Sequence, residues 1–297
     1  MQGRVETVEA NRPTVWVPAD GRRYLCHLRG RLKLEAGRIL AGDEVEIEVT
    51  DPEAGEARIL QVLPRRRVLG RPPVANPDGV LACFSLRHPE GSRWLLDRRL
   101  VAAELLGLAA EVVVTKVDLV EDPGPVETLA AVYRAAGYPV WAVSSRTGTG
   151  LDAFRRHPRS GIWVLSGESG AGKSSLLNRL VPAAGEVVQE LSRIGRGRQT
   201  TRRVRIVEAG PGWWLADTPG FTHLDLHWED PLAVRAAFRE WEGIRCRFPD
   251  CLHGEEPGCG VRAAVEAGTV DALRYHHYRR ILAEGPGHPP RVPAAAP

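Results

Sequence analysis

Gly167-Glu168-Ser169-Gly170-Ala171-Gly172-Lys173-Ser174 decides how the middle of this chain is read. The octet matches GxxxxGK[ST], a phosphate-loop pattern. An apolar run at 161–166 precedes it as a strand, and 173–180 opens a helix directly after it. Glycines let backbone N–H groups wrap phosphates, and a helix N-terminus favours negative charge. Lys173 is expected to reach the β and γ phosphates and Ser174 to ligate Mg²⁺. Gly167, Glu168, Ser169, Gly170, Ala171, Gly172 and Ser175 complete the expected cradle. A plain Gly-rich turn leaves Lys173 unexplained, because only Lys33, Lys116 and Lys173 of the 40 basic residues are lysines.

Working outward, strand patterns at 80–85, 111–115, 139–144, 203–207 and 213–217 alternate with helical spacing at 95–106 and 126–136. That alternation predicts a mostly parallel α/β sheet covered by helices. Thr115-Lys116-Val117-Asp118 ends a buried strand and resembles the NKxD guanine motif, with Thr in place of Asn. Asp118 can accept hydrogen bonds from guanine N1–H and the 2-amino group. Adenine offers no such donor pair, so the wrong base leaves a buried acceptor unpaired. The Lys116 stem can lie along the base. Ser144-Ser145-Arg146 resembles the SAK motif, whose backbone contacts the guanine O6. Together these favour GTP over ATP.

Asp217-Thr218-Pro219-Gly220 resembles DxxG. Asp217 would hold the Mg²⁺ shell through water, and the Gly220 N–H would sense the γ-phosphate. Arg198-Gln199-Thr200-Thr201-Arg202 fits switch I, with Thr201 favoured as the Mg²⁺ ligand. Taken alone, a Thr-Thr pair also reads as a polar loop. The order of motifs is guanine, phosphate loop, switch I, DxxG. That is a circular permutation of the usual GTPase order, permissible where domain termini lie close together. Phe221 stands where Ras-like enzymes carry the Gln that orients the attacking water. Intrinsic hydrolysis is therefore expected to be slow, on the order of 10⁻⁴–10⁻² s⁻¹, with a partner supplying the missing help.

Residues 1–64 read as a small barrel, OB-like or SH3-like, with strands at 3–9, 14–17, 22–28, 44–49 and 57–63. Its charge is polarised: 22–38 carries six basic residues and one acid, and 43–56 carries seven acids and no base. A basic strand 2–3 region suits RNA, although a solvated charged barrel has the same pattern. A proline-containing linker, 64–73, is expected to be irregular and to mark a boundary. The expected modules are thus 1–64, an OB-fold β-barrel; 65–225, a circularly permuted P-loop GTPase; and 226–297, a helical zinc-binding domain with a disordered tail.

Cys246, Cys251, His253 and Cys259 are spaced C-x4-C-x-H-x5-C. Three thiolates and one imidazole make a closed tetrahedral set suited to structural Zn²⁺; buried cysteines or a redox pair are the alternatives. Cys26 and Cys83 read as core packing. Helices are expected at 231–240, 261–267 and 269–284, with the His276-His277 pair at a surface or RNA contact.

Composition sets the frame. The 297 residues imply two or three domains, and 43% hydrophobic with 26% charged residues is a globular mix. No apolar run reaches the ~18 residues of a membrane span, and the N-terminus lacks a signal-peptide core, so the cytoplasm is expected. A net charge of +3 is too mild to prove a nucleic-acid partner. No segment reads as an oligomer interface, so a monomer is expected.

A barrel, a permuted GTPase and this cysteine loop together resemble the ribosome small-subunit-dependent GTPase A (RsgA) family over nearly the whole chain. Leu95-Leu96-Asp97-Arg98 and residues 66–72 belong to the match. The resemblance implies a GTPase of late small-subunit assembly that binds the 30S particle and its 16S rRNA, is stimulated by it, and leaves after hydrolysis. Two departures matter. Thr115 replaces the family's Asn. The family's GRHTT reads Gly197-Arg198-Gln199-Thr200-Thr201 here, so Gln199 is expected to position water on the ribosome. Six arginines and no acid between 193 and 205 suggest ribosomal RNA contact, or a solvated basic loop. A non-catalytic RNA-binding switch and a nucleic-acid-dependent ATPase or kinase are the competing readings.

Overall fold

The computed structural model describes residues 1–9, 12–28, 38–70, 73–181, 204–217 and 226–286. Five strands open the chain: β1 (Gln2–Glu9), β2 (Arg12–Val17), β3 (Arg22–Leu28), β4 (Glu44–Asp51) and β5 (Glu56–Val62). Their alternation sends Val15, Val17, Tyr24, Cys26, Val45, Ile47, Ala57 and Ile59 to one buried face. They pair in the order β1-β2-β3-β5-β4, and Gly3 opposite Val45 closes β4 onto β1. The parallel β3–β5 pair within a closed five-stranded barrel is the OB arrangement, which decides between the two expected barrels.

The linker differs from expectation. Val68–Leu69 (β6) and Val74–Ala75 (β7) form a short antiparallel hairpin. Pro73 falls between the strands, where no ladder hydrogen bond is lost, and Leu69 and Val74 are buried in the neighbouring core. Arg65 Nε donates to the buried Asp43 carboxylate at 2.6 Å, and the Asn76 side chain donates to Gly42 O at 3.1 Å. Gly42 has φ +94, and a Cβ there would lie 2.1 Å from Ala75 O. These contacts fasten the barrel to the α/β sheet.

Six further strands extend the sheet: β8 (Pro77–Ser85), β9 (Ala109–Thr115), β10 (Val140–Ala142), β11 (Gly161–Ser166), β12 (Arg205–Gly210) and β13 (Trp213–Asp217). Their order is β10-β9-β8-β11-β13-β12, with parallel neighbours except antiparallel β12. β12 meets β1 at Arg205 and Thr7, and Trp16 packs on Trp214 at 4.8 Å. Both faces of β8 are covered: Val80, Ala82 and Phe84 pack toward Leu96 and Leu100, while Leu81 and Cys83 pack toward Leu165 and Leu176. This is why the run lacks polar alternation. The covering helices are α1 (Arg93–Leu105), α2 (Gly124–Ala135), α3 (Leu151–Arg156) and α4 (Lys173–Leu180). The sequence pattern does not reveal the short α3; six residues show too little periodicity to register.

Toward the C-terminus lie α5 (Pro231–Ala236), α6 (Gly260–Glu266) and α7 (Ala272–Ala283). The helix expected at 231–240 stops at Ala236, and a 3-10 turn, Arg239–Trp241, comes after it. The break lets Phe238 stack on Trp241 at 4.8 Å and both reach Tyr278. Val101 of α1 joins this core. His277 corrects another expectation: it is buried, with Nδ1 2.5 Å from Asp97 Oδ2 on α1, and only His276 of the pair is exposed.

Candidate nucleotide site and metal centre

Parallel strands all end at one edge of the sheet, and the crevice there is where open α/β sheets bind ligands. The loop after β11 runs into α4 with Gly170 at φ +79 and Gly172 at φ +81, conformations that suit glycine. A Cβ on Gly167 would lie 2.5 Å from Cys83 O, so close packing against β8 also demands glycine. Lys173 is the first residue of α4, and its Nζ donates to Gly167 O at 2.6 Å and Glu168 O at 2.8 Å. Burial lowers its pKa. Ser174 and Ser175 are exposed beside it.

The structure brings the guanine-type motif to the same edge. Thr115 ends β9, is buried, and its Oγ1 lies 2.7 Å from Ala171 O and 3.1 Å from Phe84 O. Lys116 has φ 55, and its ammonium donates to His88 O. That kink carries the chain into the turn Val117–Leu119. Asp118 accepts from Ser144 Oγ at 2.5 Å and from Arg146 Nε at 2.8 Å. The Ser144 bond, then the Arg146 bond, hold its carboxyl below the usual range against the opposing effect of burial. Ser144 is fully buried, and so is Val143 just before it. Asp217 ends β13, where burial raises its pKa against the pull of Arg205. Gln199, Thr200, Thr201, Gly220, Phe221 and the arginines from 193 to 203 lie outside the described residues. Asp217 and Ser174 offer the hard oxygen donors that Mg²⁺ takes.

The metal centre rests on distances. His253 Nδ1 lies 3.5 Å from Cys246 Sγ, 3.6 Å from Cys251 Sγ and 3.5 Å from Cys259 Sγ. A tetrahedral zinc with bonds of about 2.3 Å to sulfur and about 2.1 Å to nitrogen has an S···N edge of about 3.6 Å. All four ligand atoms lie within 4.8 Å of one another. The Cys251 sulfur accepts from His253 N, and the Cys259 sulfur from Arg262 N in the first turn of α6. Burial lowers the His253 pKa to about 4, keeping its ring neutral for metal. Tyr275 and Tyr278 donate to the carbonyls of His253 and Leu252 at 2.6 and 2.7 Å, fixing the loop's path. The set fits a closed structural zinc site.

Sequence reasoning did not find the polar cluster joining α1 to α7. Arg274 is 1% exposed and reaches Asp97 Oδ1 and Glu240 Oε1, each at 2.5 Å, while Tyr133 OH donates to Asp97 at 3.0 Å. Its only signal is an Asp in the apolar face of a predicted helix.

These features define a circularly permuted phosphate-loop GTPase carrying an OB barrel and a Cys₃His centre. The RsgA GTPase family model matches residues 62–227, and the chain belongs to that family. It is 41% identical to the small ribosomal subunit biogenesis GTPase RsgA of Moorella thermoacetica over 91% of this chain and 92% of that one. The protein of the same name from Thermotoga maritima is 36% identical over 95% and 96% of the two chains. Among solved structures, YjeQ from Thermotoga maritima aligns at TM-score 0.79 and 34% identity, covering 95% of this chain and 97% of that one. YloQ, described as a circularly permuted GTPase, aligns at 0.77 and 30%, covering 95% and 94%. Among the described residues, no helix is long and apolar enough to cross a membrane.

Proposed function

We infer that this GTPase acts in biogenesis of the small ribosomal subunit, binding the 30S particle through 16S rRNA and hydrolysing GTP when the particle completes the catalytic site. The observation that carries this is the gathering of the phosphate loop, Thr115–Asp118, Ser144–Ser145 and Asp217 at one sheet edge in a chain related along its length to proteins named for that task. Residues 167–175 cradle the phosphates. Lys173 leaves its loop carbonyls for the β and γ oxygens. Asp118 reads guanine N1–H and the 2-amino group, with Ser144 and Ser145 alongside. Ser174 and Thr201 hold Mg²⁺, with Asp217 behind its water. Mg²⁺ neutralises charge developing on the phosphates. Gly220 senses the γ-phosphate, and Gln199 positions water in place of the absent Ras-type Gln.

The modules 1–64, 65–225 and 226–297 divide the work, a division supported by the barrel's own apolar cluster. We read the protein as a cytoplasmic monomer. The test is GTP turnover alone, with purified 30S, and with 50S subunits. Stimulation of about tenfold or more by 30S alone is expected. Tight GTP binding without stimulation would instead favour a non-catalytic RNA-binding switch, a reading that Phe221 at the Ras-type Gln position keeps open. Unchanged 30S-stimulated turnover in Gln199→Ala would remove Gln199 from its role.

A further inference from the structure

α1 touches the phosphate loop at one end and the cysteine-rich module along its side. The N–H of Ser92, the N-cap of α1, donates to Glu168 Oε2 at 2.7 Å. Glu168 is the second residue of the loop, and Lys173 uses only its backbone carbonyl. A carboxylate in a loop built for phosphates is electrostatically adverse unless it is committed elsewhere. Here it is committed to the N-terminus of α1, where a negative charge is favoured. It also lies near the buried Arg99 of the same helix and offsets part of the depression that burial imposes on that guanidinium.

From its first residue onward, α1 grips α7 through charged side chains. Arg93 Nη2 pairs with Asp271, the N-cap of α7, at 2.9 Å. Asp97, fully buried, takes Arg274 on one carboxylate oxygen and His277 on the other. Charge-assisted bonds to buried partners are among the stronger and more directional contacts available to a helix. One rigid element therefore carries both attachments.

We propose that Glu168 is a positioning residue that ties the phosphate loop to α1, and that α1 transmits the loop's nucleotide state to α7. The inference rests on the assignment of residues 167–174 to the phosphates. Loss of the Glu168 carboxylate then loosens the loop while leaving the residue's backbone in the phosphate cradle. Binding weakens, and α7 stops responding.

The experiment uses the full chain and a fluorescent GDP analogue, with hydrogen exchange over 272–283 as the second readout. Glu168→Ala is expected to weaken GDP binding about tenfold, the scale of one charge-assisted hydrogen bond. Its saturated turnover should change less than its KM. Glu168→Gln keeps an oxygen that accepts from Ser92 N–H and should recover most of the affinity. In the unaltered chain saturating GDP should slow exchange in α7; in Glu168→Ala at saturation it should not. Equal affinity in Glu168→Ala, equal α7 protection in both chains, or Gln behaving as Ala would each overturn the proposal. Lys173→Ala is the control. If it too leaves GDP binding unchanged, the loop assignment itself has failed; if it abolishes binding while Glu168→Ala does nothing, only the present inference has.

Discussion

The Thr115 hydroxyl lies 2.7 Å from the Ala171 carbonyl, joining the strand end that leads to the guanine-type motif directly to the phosphate loop. Both residues are buried. A hydroxyl has one proton to give, and the shorter distance favours Ala171 over Phe84 O at 3.1 Å. The base half and the phosphate half of the site thus share one fixed contact.

Thr115→Val keeps the shape and removes the donor. The Ala171 carbonyl is then left buried without that partner, at a cost of about 1–3 kcal/mol. Nucleotide affinity should fall about five- to tenfold, because the loop bearing Ala171 loses its tether. Calorimetric titration with GDP checks this. Affinity unchanged within error would mean that the contact is incidental.

Asp118 supports a pH prediction. Its folded pKa is depressed, first by the Ser144 hydrogen bond and then by Arg146. A depressed carboxyl contributes fully above its unperturbed pKa, and the contribution disappears only as pH falls through the lower folded value. GDP affinity should therefore hold as pH drops toward about 5, near the top of the ordinary carboxylate titration. Ser144→Ala removes the largest cause, so its decline should begin at higher pH. Superimposable pH profiles for the two chains would show that this bond does not tune the carboxylate.

How much can be read in the sequence depends on distance along the chain. The strand run Ala109–Thr115 and the loop 167–174 announce themselves locally, through a nearly unbroken apolar stretch and through glycine spacing. The four metal ligands fall within one short loop, so their chemistry is legible from spacing alone. The Asp97–Arg274 pair spans 177 residues and the Ser92–Glu168 bond spans 76, and no periodicity links such positions. His277 escapes for the same reason: its neighbours suggest an exposed helical pair, while its buried partner sits on α1. The linker hairpin is hidden by prolines, of which Pro73 in fact lies between its strands.

The metal centre predicts one zinc per chain. Removing the ion leaves three sulfurs and one ring crowded within 4.8 Å, on a loop whose carbonyls anchor Tyr275 and Tyr278. Trp241 packs edge-on to His253 at 5.1 Å, so the module's aromatic core depends on the same loop. Chelation should lower the melting temperature by about 5 °C or more and expose Trp241 to solvent. Elemental analysis of Cys251→Ser should show the zinc lost. Retention of full zinc by that variant would exclude Cys251 from the ligand set.

Asp97 and Arg274 give the sharpest stability prediction. Asp97 is 0% exposed, and its two oxygens serve Arg274, His277 and Tyr133 together. Asp97→Ala strands the Arg274 guanidinium with Glu240 as its remaining acid, in a site with little water. Breaking a buried pair from one side costs about 3–5 kcal/mol, most of it from the uncompensated charge. Removing both partners avoids that penalty, so Asp97→Ala with Arg274→Met should cost less than the sum of the single changes by about 1–3 kcal/mol. Urea unfolding of the four chains measures the coupling. Simple additivity would mean that the Asp97–Arg274 pair itself adds nothing to the joint between the nucleotide domain and the metal-binding module.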